Sequence, residues 1–252
     1  MHAAPADTNT LRIDGPEAPA LLPEGEAGGS AQNLVLRAAE AFERVFGGGA
    51  HAFTLEKHLP VASGIGGGSA DAAAVLRLLA RARGVDIAEP ALGKVALALG
   101  ADIPMCLASR GARIGGIGER INPVQGLDGL IVVAVNPRQP VSTPSVFKSL
   151  GVPPGRHRTS DQAQRHDLPT ADWLAAIGQS GNDLEAPARV FAPAIGEARE
   201  ALTAMPGCRL ARMSGSGATV FGLFEALDQA ARAAKNLGAR YPRWWVKTGH
   251  LF

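Results

Sequence analysis

Pro60-Val61-Ala62-Ser63-Gly64-Ile65-Gly66-Gly67-Gly68-Ser69-Ala70-Asp71 runs without a break into Ala72-Ala73-Ala74-Val75-Leu76-Arg77-Leu78-Leu79, and the reading of this junction decides the fold. The second half is built from good helix formers, and Gly84 closes it. The first half has four glycines in five positions, Gly64, Gly66, Gly67 and Gly68, which clears side chains from a turn and lets backbone N–H groups converge. A turn of this kind that opens a helix at Ser69 adds the positive end of the helix dipole to those donors, and phosphate is the ligand that suits it. Spacing separates the known phosphate loops. No Lys-Ser or Lys-Thr follows the glycines as the Walker pattern requires, and Ser69 stands where a dinucleotide fingerprint counted from Gly64 needs its third glycine. The Asp-Phe-Gly and His-Arg-Asp signatures of protein kinases are absent from the sequence. By themselves the residues specify a phosphate-binding loop, with a ligand-free glycine hinge as the alternative.

Upstream, Asn33 is placed to cap a helix in which Val35, Ala38, Ala39, Phe42 and Phe46 recur at helical spacing until Gly47-Gly48-Gly49 stops it. His51 to Leu55 alternates as a strand, with Phe53 and Leu55 on one face. Downstream, Pro90 and Gly100 bracket a short helix, followed by Ala101-Asp102-Ile103-Pro104. Gly111 to Val124 reads as a hairpin around Gly115-Gly116, and Leu130 to Val135 as a buried strand ending at Asn136-Pro137. The character of the chain changes near Gly126, so domains are expected at 1–126 and 127–252. In the second, residues 151–169 form a polar loop, helices follow over Asp172–Ile177 and about Asp183–Ala204 with Pro187 in the first turns, and Arg209–Met213 and Ala218–Phe224 pair around Ser214-Gly215-Ser216-Gly217. A helix over Leu227–Leu237 and a strand over Arg243–Thr248 complete it. No βαβ alternation is present, so the class is α+β.

The chain has 252 residues, 46% of them hydrophobic and 19% charged, which excludes a disordered solvating chain and allows one large or two compact domains. Its 31 glycines and 18 prolines exceed the usual share without reaching low-complexity levels, so the excess belongs in working loops. A net charge of +2 offers no electrostatic case for nucleic acid. Two cysteines, Cys106 and Cys208, exclude a disulfide scaffold and a thiolate zinc site and suit a reducing cytosol. The amino terminus lacks a basic and an apolar leader region, and the longest aliphatic strip, Leu130 to Val135, falls far short of the ~18 residues of a membrane span. The expectation is a soluble cytoplasmic protein without a membrane partner, monomer or homodimer.

Pro60-Val61-Ala62-Ser63-Gly64-Ile65-Gly66-Gly67-Gly68-Ser69-Ala70 also resembles the phosphate loop of the GHMP kinases, the superfamily of galactokinase, homoserine kinase and mevalonate kinase. Further stretches agree in order and spacing: Asn33-Leu34-Val35, Lys57-His58-Leu59-Pro60, Gly100-Ala101-Asp102-Ile103-Pro104, Thr143-Pro144-Ser145-Val146-Phe147, Gly181-Asn182-Asp183-Leu184-Glu185 and Ser214-Gly215-Ser216-Gly217-Ala218. Gly-Ala-Asp-Ile-Pro and Thr-Pro-x-x-Phe together point to the branch acting on 4-diphosphocytidyl-2-C-methyl-D-erythritol.

The resemblance implies an amino-terminal domain like the second domain of ribosomal protein S5, a ferredoxin-like carboxyl-terminal domain, and phosphorylation by ATP of the 2-hydroxyl of that substrate on the non-mevalonate route to isoprenoids. It makes Asp102 the general base, against a plain local cap. Residues 60–70 would bind ATP phosphates, and Asn33 and Lys57 would lie near the adenine, although as plain sequence they are a helix cap and a surface lysine. Ser69 would help hold Mg²⁺ besides capping its helix. Phe147 would stack on the cytosine with Thr143 nearby, against an ordinary core phenylalanine. The loop Ser214 to Ala218 would line the cleft, while Cys106, Cys208, Trp244 and Trp245 are structural.

Family members begin with a strand carrying Pro-Ala-Lys-Ile/Leu-Asn and then a Gly-Tyr-His turn. Here the first lysine is Lys57, the single tyrosine is Tyr241, and the match starts near Leu11. The expectation is therefore an incomplete amino-terminal domain, with a start placed downstream of the true one or a shortened relative that has lost catalysis, and a chain that is poorly soluble or inactive as it stands. The rivals are another small-molecule kinase of the superfamily and a catalytically silent nucleotide-binding protein.

Overall fold

The alternation over residues 51–55 puts Phe53 and Leu55 on the buried face of β3 (His51–Glu56), which organises the first part of the chain. The computed structural model describes residues 1–21, 33–124, 129–152 and 177–251, and these divide into two compact units, Met1–Val61 with Gly66–Pro123 and Ala62–Ile65 with Val124–Phe252.

In the first unit β1 (His2–Pro5) pairs antiparallel with β3 along one edge, and β2 (Thr10–Asp14) pairs parallel along the other. The register sets Leu11 beside Phe53 and Ile13 beside Leu55, so one apolar face spans β2 and β3. Against it lie α1 (Leu34–Phe46) and α2 (Gly67–Arg83). Buried Ala38 and Ala39 on α1 and Ala72, Ala73 and Ala80 on α2 let these helices pack closely, and Phe42, Phe53 and Leu76 fill the space between. Each such large side chain withdrawn from water contributes about 1.5–3 kcal/mol. The unit continues with α3 (Pro90–Leu99), α4 (Ile103–Ala108) and the hairpin β4 (Ala112–Gly115) and β5 (Arg120–Pro123). Two elements differ from the sequence reading. β1 carries no periodic signal because all four of its residues are exposed, and α4 follows Asp102, where the sequence reading named no helix. Pro104 in the first turn of α4 supplies the φ that a helix start requires.

The second unit contains β6 (Ile131–Asn136), α5 (Thr143–Ser149), α6 (Glu185–Phe191), α7 (Ala194–Thr203), β7 (Cys208–Met213), β8 (Val220–Phe224), α8 (Leu227–Arg240) and β9 (Trp245–His250). The sheet order is β7-β8-β6-β9 with every pair antiparallel, the ferredoxin-like βαββαβ arrangement. The single helix expected over 183–204 is two helices. Pro193 drives Ala192 out of the helical region to φ −138° and ψ 83°, which ends α6, while Pro187 sits harmlessly in its first turn. α8 runs to Arg240 rather than Leu237. β9 begins at Trp245 rather than Arg243, because Trp244 is held in a turn with its ring stacked on Tyr241 at 3.7 Å. Most of the expected loop 151–169 and helix 172–177 lie outside the described residues.

Cys106 and Cys208 are half-buried free thiols, and burial pushes both above the usual thiol range, Asp102 adding to the effect at Cys106. Among the described residues no helix is long and apolar enough to cross a membrane.

Candidate functional site

Gly66 is the N-cap of α2, in the left-handed conformation at φ +68° that a side chain would make costly. The helix therefore starts at Gly67, two residues before the expected start. Ser69 becomes the third helical residue and does not cap. Among the described residues no side chain caps this end, and no acidic residue stands in its first turn. The N–H groups of Gly67, Gly68 and Ser69 belong to the turn that has no intrahelical partner, at the positive end of a 17-residue helix, and are available to an anion.

Lys57 is not a surface lysine. Its side chain is 6% exposed, and Nζ lies 2.6 Å from Oδ2 of Asp71 on the second turn of α2. Its backbone is fixed as well, N donating to the Asp14 carbonyl at 2.7 Å and O accepting from Glu17 N at 3.1 Å. The ammonium lies so near the start of α2 that a Cβ added to Gly67 would meet it at 3.4 Å. Lys57 thus braces the helix that carries the glycines. The asparagine ahead of α1 behaves as the cap its position suggested, with Asn33 Oδ1 accepting from Val35 N at 3.0 Å.

Asp102 occupies the N-cap position of α4 but makes no capping bond. It is exposed, and its carboxylate has no hydrogen bond or ion pair among the described residues. Its support is rigid. Arg77, on α2, donates from Nη1 to the carbonyls of Cys106 and Leu107 and ties the end of α4 to α2. The turn at Gly118 lies against the Ala101 carbonyl so closely that a Cβ would come within 2.1 Å of it.

The other half of the glycine loop, Ala62–Ile65, packs within the second unit. Ser214 Oγ donates to the Gly64 carbonyl at 3.0 Å, and Thr219 N donates to the Ser63 carbonyl at 3.1 Å. At Gly64, φ is +72° and a Cβ would stand 2.5 Å from the Gly217 carbonyl oxygen, so two backbones touch where no side chain fits. Asn136, at the end of β6, is 3% exposed and donates from Nδ2 to Thr219 Oγ1 at 2.9 Å. In the same unit Thr143 Oγ1 and Ser216 Oγ share a hydrogen bond of 2.7 Å. Phe147 lies one turn beyond Thr143 on α5 and is 54% exposed, which removes the reading of an ordinary core phenylalanine.

Sequence reasoning missed Asp71, Arg77, Asn136 and the anchoring of Lys57. Only a polar residue at the end of an apolar strand, as at Asn136, was a signal in the sequence. Among the described residues no three His, Cys, Asp or Glu side chains cluster as a metal site.

Residues 33–110 match the GHMP kinases N terminal domain, and residues 162–243 match the GHMP kinases C terminal domain. The 4-diphosphocytidyl-2-C-methyl-D-erythritol kinase of Cereibacter sphaeroides is 49% identical over 256 residues, a match covering all of this chain and 85% of that one. Its namesake in Methylobacterium radiotolerans is 50% identical over 94% of this chain and 80% of that one. A crystal structure of 4-(cytidine 5'-diphospho)-2C-methyl-D-erythritol kinase superposes with a TM-score of 0.71 at 34% identity, covering 98% of this chain and 84% of that one. Homoserine kinase from Cytophaga hutchinsonii shares the fold, with a TM-score of 0.73 at 16% identity over 99% of this chain and 84% of that one.

Proposed function

The chain belongs to the GHMP kinases, within the family of the 4-diphosphocytidyl-2-C-methyl-D-erythritol kinases, and we propose that it transfers the γ-phosphoryl group of ATP to the 2-hydroxyl of that sugar derivative. The hydroxyl oxygen forms the new bond to the γ-phosphorus, the bond from that phosphorus to the bridging oxygen breaks, and ADP leaves. Asp102 receives the hydroxyl proton. Such a transfer asks for alignment and for donors around moving charge more than for covalent help from the protein. The N–H groups of Gly67, Gly68 and Ser69 supply donors to the phosphates. Within the loop Pro60–Ala70, backbone that carries no side chains lets those phosphates approach.

The observation that supports this reading most is the pairing, in one packed unit, of a carboxylate at Asp102 and a helix start that no side chain among the described residues engages. Asp71, the nearest carboxylate in α2, is engaged by Lys57, so the residues suit a Mg²⁺ ion carried by the nucleotide phosphates and its own waters, with the Ser69 hydroxyl as the protein oxygen at hand. When bound, that ion would neutralise charge on the β- and γ-phosphates. Asn33 and Lys57 belong to the nucleotide side in this scheme, Lys57 as a brace for α2. We assign residues 1–126 to the amino-terminal, ATP-binding domain and 127–252 to the carboxyl-terminal domain, which carries Thr143 and Phe147, and place the reaction in the cytoplasm.

Thr143 and Phe147 recognise the cytidyl group, Phe147 by stacking. Base–aromatic stacking is worth about 1–3 kcal/mol. Phe147→Ala is therefore expected to raise KM for the cytidyl substrate about tenfold while KM for ATP stays within twofold. An unchanged KM would remove Phe147 from the site.

Coupled measurement of ADP release tests the function, with ATP and Mg²⁺ against 4-diphosphocytidyl-2-C-methyl-D-erythritol, homoserine and mevalonate. Turnover with the first alone would carry the kinase reading and overturn the sequence-based expectation of an inactive chain. Turnover independent of the cytidyl group would favour another kinase of the superfamily, and ATP binding without turnover a silent nucleotide-binding protein.

A further inference from the structure

Gly181-Asn182-Asp183-Leu184-Glu185 has no part in the mechanism above, yet the structure ties it to the glycine loop. Among the described residues β7 is an edge strand, paired only with β8. At its end Ser214 N donates to the Thr219 carbonyl, so the alternation of an antiparallel ladder turns both backbone groups of the preceding residue, Met213, away from β8. Side chains of the motif meet them. Asn182 Nδ2 donates to the Met213 carbonyl at 3.0 Å, and Glu185 Oε2 accepts from Met213 N at 3.4 Å. The same Nδ2 also donates to the Gly215 carbonyl at 2.8 Å, and Asn182 Oδ1 accepts from Leu184 N at 3.0 Å. One amide thereby holds the strand end and the turn on either side of Ser214. The segment before it is secured by Arg212, which donates to the Ile177 carbonyl at 2.6 Å and to Ser180 Oγ at 3.0 Å.

The chain of bonds continues inward. Ser214 Oγ holds the Gly64 carbonyl, Gly217 N donates to the Ser214 carbonyl, and a Cβ on Gly215 would come within 2.6 Å of the Gly64 carbonyl oxygen. Ser214–Gly217 is therefore the surface on which the first half of the glycine loop is moulded, and Asn182 sets the shape of that surface. We propose that Asn182 is a positioning residue for nucleotide binding, acting through Met213, Gly215 and Ser214 on the backbone at Gly64. The proposal rests on the kinase reading and adds to it a residue that touches neither ATP nor sugar. Asparagine is required because one side chain must donate twice and accept once. Aspartate, of the same shape, accepts only and would face two carbonyl oxygens.

The test uses the full chain, with ATP binding measured calorimetrically without sugar and steady-state kinetics with both substrates. Asn182→Asp is expected to weaken ATP binding about tenfold and raise KM for ATP equally, while KM for the cytidyl substrate stays within twofold. Ser214→Ala, which cuts the next link, should show the same ATP-selective loss and serves if Asn182→Asp folds poorly. In the double variant the loss should be smaller than the product of the single losses, because both changes release the same carbonyl at Gly64. Unchanged ATP affinity in both single variants, losses that multiply, or a fall in kcat and melting temperature with both KM values unchanged would each overturn the proposal. A wild-type chain that binds no ATP would overturn the kinase reading along with it. One that binds and turns over normally beside unaffected variants would overturn the proposal alone.

Discussion

Asp102→Asn is expected to lower kcat by about two to four orders of magnitude, the range typical of a lost general base, with both KM values within twofold of wild type. Asparagine keeps the size of the side chain and serves equally well in an N-cap position, so α4 should be undisturbed. The carboxylate makes no hydrogen bond or ion pair among the described residues, so the substitution leaves no partner stranded. Under the proposed scheme it removes the group that takes the hydroxyl proton as the new P–O bond forms. Steady-state ADP release with a thermal melt alongside is the measurement, and the expected pairing is a large loss of rate with an unchanged melting temperature. Wild-type kcat in the variant would mean that positioning and charge neutralisation suffice, as a loose transition state permits, and that Asp102 is not the base.

Lys57→Met should strongly destabilise the first unit. It strands Asp71 beside an apolar side chain, and breaking a buried pair in this way costs about 3–5 kcal/mol. Because Asp71 is 21% exposed and can recruit water, the lower end of that range applies. For a unit of this size the melting temperature should fall by about 10 °C. Lys57→Met combined with Asp71→Leu should recover most of the loss, since a well-packed apolar pair avoids the desolvation of two charges. Thermal unfolding, with hydrogen exchange followed at the start of α2, checks both. If the single variant melts with wild type, the pair contributes no more than an exposed surface pair would.

Legibility in the sequence followed the range of the interaction. The helix capped by Asn33, the strand through Phe53 and Leu55, the helix opened by the glycines and the bracket of Pro90 and Gly100 are each set by neighbours a few residues apart, and all are present. Pro193 shows the same logic where it was overlooked, because its effect on Ala192 is local and splits one expected helix into α6 and α7. β1 was hidden for the opposite reason. Its exposed residues carry no pattern, and only pairing with β3 makes them a strand. The candidate site divides likewise. The glycine loop and Asp102 stood out through residue type and motif, whereas the burial of Lys57 depends on Asp71, fourteen residues away, and the exposure of Phe147 on how α5 lies in its unit.

What the sequence alone determined is therefore the α+β class, the elements with local signals, a glycine loop with its helix and, through resemblance, the kinase family. Only the tertiary structure decided that Lys57 braces α2, that Asp102 caps nothing, and that Asn182, through Ser214, reaches Gly64 across 118 residues of chain. The physical reason is that backbone preference is written in adjacent residues, whereas the partner of a buried charge or a backbone carbonyl is chosen by whatever the fold brings within hydrogen-bond reach.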